Sequence, residues 1–162
     1  MFSASVVNSN AQPADQVYVH ELTVEDGLAQ SNVNVILKDS DGLIWLGTDD
    51  GLNLFDSHNL KTYRHDSNDP YSLSENEVVS LLEDSQGRLW VGTAHGGGLN
   101  LFNRKGGKFL RYLDDNVADN ISIRSKNAAL CIIEDASQNI WVGTHDGIRV
   151  LKKGDSKFEF FG

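Results

Sequence analysis

The chain has 162 residues, 40% of them hydrophobic, enough to bury a core of ordinary domain size. Its formal net charge of −9 argues against nucleic acid or an anionic membrane surface as partner, because both demand a basic face. The single cysteine, Cys131, excludes an intrachain disulfide, and 15 Gly against two Pro point to many tight turns.

Residues 1–16 are polar and rich in Ser, Asn and Ala. They carry neither the basic nor the apolar region of an export signal and read as a flexible lead. No stretch approaches the roughly 20 apolar residues of a membrane span. Residues 17–22, Val-Tyr-Val-His-Glu-Leu, alternate as a strand does and are expected to form one extra strand before the first repeat.

A phrase then recurs three times: Asp39-Ser-Asp-Gly-Leu-Ile-Trp45-Leu-Gly47-Thr48, Asp84-Ser-Gln-Gly-Arg-Leu-Trp90-Val-Gly92-Thr93 and Asp135-Ala-Ser-Gln-Asn-Ile-Trp141-Val-Gly143-Thr144. All three Trp residues sit in it, at a period of roughly 45–50 residues that marks a repeat architecture. Each copy follows an apolar strand-like run: Val33–Lys38, Val78–Glu83 and Ala129–Glu134. A polar turn comes next, with Gly42 and Gly87 at its tight point. The third copy has Gln138 there, with Asn139 beside it as a residue that tolerates positive φ. The Trp strand leads through a second Gly turn into Leu52–Phe55, Leu99–Phe102 and Ile148–Leu151. An aromatic strand closes each unit at 61–64, 108–112 and 157–161.

Four short antiparallel strands per repeat, without helical periodicity, predict an all-β β-propeller. The expected layout is three four-stranded blades at 32–64, 77–112 and 128–161, an incomplete ring plus the extra strand. In this reading Trp45, Trp90 and Trp141 are slabs that one blade presents to the next. Gly47, Gly92 and Gly143 lie where packed blades leave no room for a side chain. Thr48, Thr93 and Thr144 hydrogen-bond the following turn. Cys131 is expected to be a buried, inert thiol.

Propeller topology puts the turns between second and third strands on the same face as the connections between blades. That face collects the ligand-binding candidates Asp49, Asp50, His95, His145, Asp146 and Tyr71. His95 and His145 occupy similar places in adjacent blades, but no third ligand at metal spacing accompanies them, so no metal is expected. Asp39-Ser-Asp41-Gly42 begins as a calcium loop does, then continues Leu43-Ile44-Trp45 without oxygen ligands; an Asx turn is the better reading. No nucleophile elbow, phosphate-binding loop or dinucleotide fingerprint occurs. The chain reads as non-catalytic and free of cofactors.

The pattern strongly resembles the two-component regulator propeller repeat. The residues that carry the likeness are Asn32-Val33 and Asn76-Glu-Val78, Glu83-Asp84, Gly87-Arg-Leu-Trp90-Val-Gly-Thr93 and Gly98-Leu99. Leu22–Leu28 and Asn68–Ser74 are similar to the family's opening and inter-blade phrases. The third copy departs at Gln138, and at Arg149 where the others have Asn53 and Asn100. The resemblance implies the periplasmic or otherwise extracytoplasmic sensor region of a bacterial signal-transduction receptor. It further implies a downstream kinase or cyclase module and a carbohydrate or other small ligand. A fragment of a carbohydrate-active propeller enzyme and a protein-association scaffold are the alternatives. Three blades are fewer than the four to eight of a closed ring. Their flanks should therefore be covered by missing blades of a longer propeller or by self-association.

Overall fold

The computed structural model describes residues 21–112 and 128–161. They form three four-stranded antiparallel sheets side by side, with one short 3-10 turn at Val24–Asp26 as the sole helical element among them. Blade one is β1 (Val33–Lys38), β2 (Ile44–Thr48), β3 (Gly51–Phe55) and β4 (Leu60–Tyr63). Blade two is β5 (Val78–Glu83), β6 (Leu89–Thr93), β7 (Gly98–Asn103) and β8 (Lys108–Tyr112). Blade three is β9 (Cys131–Glu134), β10 (Ile140–Thr144), β11 (Gly147–Leu151) and β12 (Glu159–Phe161). Each blade is a simple up-and-down meander. The extra strand expected over 17–22 falls almost wholly outside the described residues.

The first strands pack against one another, β1 on β5 and β5 on β9, so they form the inner side of an open arc. The fourth strands lie at the outer rim. A register shift between Val33 and Val35 in β1 recurs between Val78 and Ser80 in β5.

The turns follow from single residues. Gly42 and Gly87 adopt φ of 86° and 73°, the left-handed region that a Cβ disfavours. In the third copy Gln138 itself takes this conformation, φ 64°, rather than Asn139 beside it. Asn139 is occupied otherwise: its side-chain amide donates to Asp135, 2.8 Å away.

Each interface between blades is an apolar cluster built on the preceding blade's Trp. Trp45 packs with Leu73, Val78, Leu89, Val91, Phe102 and Phe109 of blade two and its entry segment. Phe102 meets its ring edge-on at 5.1 Å. Trp90 repeats this with Ala129, Ile132, Ile140, Val142 and Leu151 of blade three. Trp141 points the same way from blade three, with Phe161 of its own blade against it. A Cβ on Gly47 would lie 2.6 Å from Val78, and one on Gly92 would meet Ala129 and the Ser80 hydroxyl. A Cβ on Gly143 would meet Cys131 of its own blade, 2.5 Å away.

Cys131 is exposed, not buried. Its counterpart Ser80 is covered because the next blade lies over it, and Ser80 Oγ donates to the Ala129 carbonyl. Cys131 stands on the flank of blade three, where no described residue plays that part.

Candidate functional site

Both faces of the arc carry networks built from the repeat. On the face of the first-to-second strand turns, Asp39, Asp84 and Asp135 anchor each copy. One carboxylate oxygen of Asp39 accepts the N–H groups of Asp41 and Leu43, an Asx-type turn. The other accepts the Trp45 indole N–H at 2.8 Å. Asp84 does the same for Trp90 and Asp135 for Trp141. The indole therefore has a fixed depth as well as a fixed face. Sequence reasoning identified the turn but missed this bond. Asp and Trp are six residues apart and meet only once the hairpin is paired.

These carboxylates are held in the charged form. Burial works against ionisation of Asp39, yet the Trp45 indole, Arg104 and the Leu43 N–H hold it below the usual carboxylate range. Asp84 shows the same balance: burial opposes the charge, and Trp90 and Arg88 prevail. The Trp141 indole and the Asn139 N–H and amide hold Asp135 at about 2.

Between blades this face has a polar brace. The Ser40 N–H and hydroxyl both donate to Glu83 of the next blade, at 2.6 and 2.9 Å. Ser85 repeats this on Glu134, both at 2.7 Å. Arg104, in the β7–β8 hairpin, adds a bridge from blade two. It lies 2.7 Å from both Asp39 and Glu83. The carboxylates on this face are thus occupied by the fold itself.

The opposite face holds the ligand-binding candidates. Thr48, Thr93 and Thr144 each donate a hydroxyl hydrogen bond to the carbonyl of the Gly that closes the turn, Gly51, Gly98 and Gly147. This fixes where the turn residues stand. Asp49 accepts the side-chain amides of Asn32 and Asn34 at the start of β1, each at 2.8 Å. Those bonds hold its carboxyl below the usual range. Asp50 pairs with Arg64 at 3.1 Å and accepts from Asn76, which enters blade two. His95 lies against Glu77 at the start of the same blade. His145 and Asp146 are exposed at the tip of blade three's turn.

Counting from the Thr of each copy, His145 corresponds to Asp49, and His95 to Asp50 and Asp146. The two imidazoles are one position out of step, because the repeat is set by Thr and not by the loop length. Among the described residues no group of three His, Cys, Asp or Glu stands close enough to hold a metal.

Tyr71 lies elsewhere. Its carbonyl accepts the Phe109 N–H of β8, and its ring sits under the Lys108 ammonium at 5.0 Å. It therefore belongs to the outer rim, where it lines a groove of about 300 Å³ with Tyr63, Asp66, Asp69 and Lys108. The rest of its loop is bound inward. Arg111 donates to the carbonyls of Asp69, Ser72 and Leu73. The chemistry of this second face is hydrogen bonding from Asn, Asp and His side chains around the inner strands.

A family model described as two component regulator propeller matches the chain three times, over residues 27–50, 72–95 and 123–146. Histidine kinase P4 of Formosa agariphila is 42% identical over 72 residues, which are 44% of this chain and 5% of that protein. A solved structure ascribed to the extracellular domain of a hybrid two component system of B. thetaiotaomicron superposes with a TM-score of 0.74 at 27% identity. It covers 88% of this chain and 20% of its own. The extracellular domain ascribed to a one component system of the same organism gives 0.62 at 20% identity, covering 83% and 17%, a likeness of fold alone. The chain spans a fifth or less of each of these proteins.

Proposed function

Because its three copies are repeats of the two component regulator propeller family, we propose that this chain is part of the extracytoplasmic, ligand-sensing propeller of a bacterial receptor. The reading rests on the threefold repeat. It is supported by the similarity to the extracellular domain of a hybrid two component system and to part of a histidine kinase. The module is non-catalytic in this proposal, and its output is a kinase further along the receptor. The ligand is a carbohydrate or another small polar molecule, held by hydrogen bonds on the face of Asp49, Asp50, His95, His145 and Asp146. Engaged carboxylates such as Asp49, already fixed by Asn32 and Asn34, present oriented oxygens at little entropic cost.

The test is a thermal-shift screen of oligosaccharides and small polar metabolites against the chain and a variant carrying Asp49→Ala and His145→Ala. A ligand should raise the Tm of the wild type and fail to raise that of the variant. A shift retained by the variant would remove these residues from the site. Conversion of the bound compound to product would overturn the non-catalytic assignment.

A further inference from the structure

We propose that the outer-rim groove between blades one and two binds a zwitterion of amino-acid or dipeptide size, by its amine and its carboxylate together. The groove lies apart from the turn face and encloses about 300 Å³. Both blades and the loop that joins them supply its walls.

Those walls are set by the fold. Arg111 gathers the carbonyls of Asp69, Ser72 and Leu73, and the Ser72 hydroxyl accepts the Asp66 N–H at 2.8 Å. The Tyr71 carbonyl accepts the Phe109 N–H at 2.8 Å. Tyr71 thus serves the fold through its backbone, and the residue is left 55% exposed. On the blade-one side stands Tyr63, whose ring is held against Trp45, Phe102 and Phe109. A ligand here meets a site that has little freedom left to lose.

The charges of the groove are not spent on one another. The Lys108 ammonium lies 5.0 Å from the centre of the Tyr71 ring, and the Lys61 ammonium 4.8 Å from that of Tyr63. Neither is paired with a carboxylate among the described residues. Asp66 and Asp69 each use one carboxylate oxygen, for the N–H groups of Asn68 and Tyr71. Their second oxygens have no partner among the described residues. Elsewhere on these two blades opposite charges meet, Arg64 on Asp50 and Arg104 on Asp39 and Glu83.

That division of charge selects the ligand. An anion alone would face two carboxylates, and a cation alone two ammonium groups. A molecule carrying both charges satisfies both pairs. Its carboxylate takes Lys61 and Lys108, its ammonium takes the open oxygens of Asp66 and Asp69, and its apolar part lies on the Tyr71 ring. Lys61 reaches the groove beside Gly107. A Cβ on Gly107 would lie 3.6 Å from the Lys61 nitrogen and 3.8 Å from the Tyr63 ring. The repeat does not demand these two cations. In the register of the outer strands Leu110 of blade two stands where Lys61 stands in blade one, and Asn59 of blade one where Lys108 stands in blade two. They are particular to this interface.

Isothermal titration calorimetry of the full chain with the dipeptide Gly-Leu tests this. Gly-Leu should bind saturably, one molecule per chain. N-acetyl-Gly-Leu lacks the ammonium and Gly-leucinamide lacks the carboxylate, and each should bind about tenfold more weakly. Lys108→Met should weaken Gly-Leu about tenfold without weakening Gly-leucinamide further. Asp69→Asn, which keeps the oxygen that caps the loop, should weaken Gly-Leu without weakening N-acetyl-Gly-Leu further. A merely structural role would weaken every compound alike. The chain carrying Asp49→Ala and His145→Ala should bind Gly-Leu as the wild type does, so this site and the turn face are read separately. No saturable binding of Gly-Leu up to about 10 mM would overturn the proposal. So would equal affinity for the blocked forms, or binding of glucose in place of Gly-Leu.

Discussion

Gly92 has no space for a methyl group, because Ala129 and the Ser80 hydroxyl already occupy it. Gly92→Ala should therefore cost about 3 kcal/mol in urea unfolding. Gly143→Ala, facing the Cys131 thiol alone, should cost less than half as much. The sequence displays the three glycines as equals, and their inequality comes from what covers them. Cys131 follows the same rule. It lies in an inner strand among apolar neighbours, which reads as burial, yet a strand flank is buried only if another blade lies on it. The Asp–Trp bond gives a second test at this scale. Asp135 has an ordinary carboxyl value of 3.8 lowered to about 2 in the folded chain. A lowered value means that the stabilisation is present in full above pH 4 and is lost as pH falls through about 2. Thermal melts of the wild type should thus fall steeply between pH 4 and pH 2. Asp135→Asn should flatten that fall, and an unchanged slope would refute the assignment.

The strands were legible as elements because each repeats a pattern three times, and three copies average out the ambiguity of a single short apolar run. The third copy is where sequence and structure diverge. β9 begins at Cys131 rather than Ala129, and β12 shortens to Glu159–Phe161. Asn53 and Asn100 carry a role that the sequence hid. Both are fully buried, and their side-chain oxygens accept the N–H groups of Ala29 and Ser74. They fix the segments that enter blades one and two, so Leu28 and Leu73 are held in the core. In isolation a buried Asn in a strand reads only as a polar residue out of place. Of the ligand-binding candidates, the turn residues follow from topology, which the repeat dictates. Tyr71 does not, because the course of its loop is set by Arg111 and Phe109, distant in sequence.

At the scale of the molecule, among the described residues, one blade of the arc has neighbours on both sides and two have a neighbour on one side. All five residues of β6 are buried, whereas β10 mixes buried and half-buried positions. Among the described residues, the braces, the Trp clusters and the seated glycines join nearest neighbours, Ser40 to Glu83 and Ser85 to Glu134, with none reaching from blade one to blade three. A chain coupled only between neighbours behaves as a short one-dimensional array, in which each unit holds as much cooperativity as its contacts supply. Opening then proceeds inward from the ends. Amide hydrogen exchange should be slowest at Trp90 and Val91 and faster at the equivalent positions of β2 and β10. Equal protection across the three blades would show that they open as one unit.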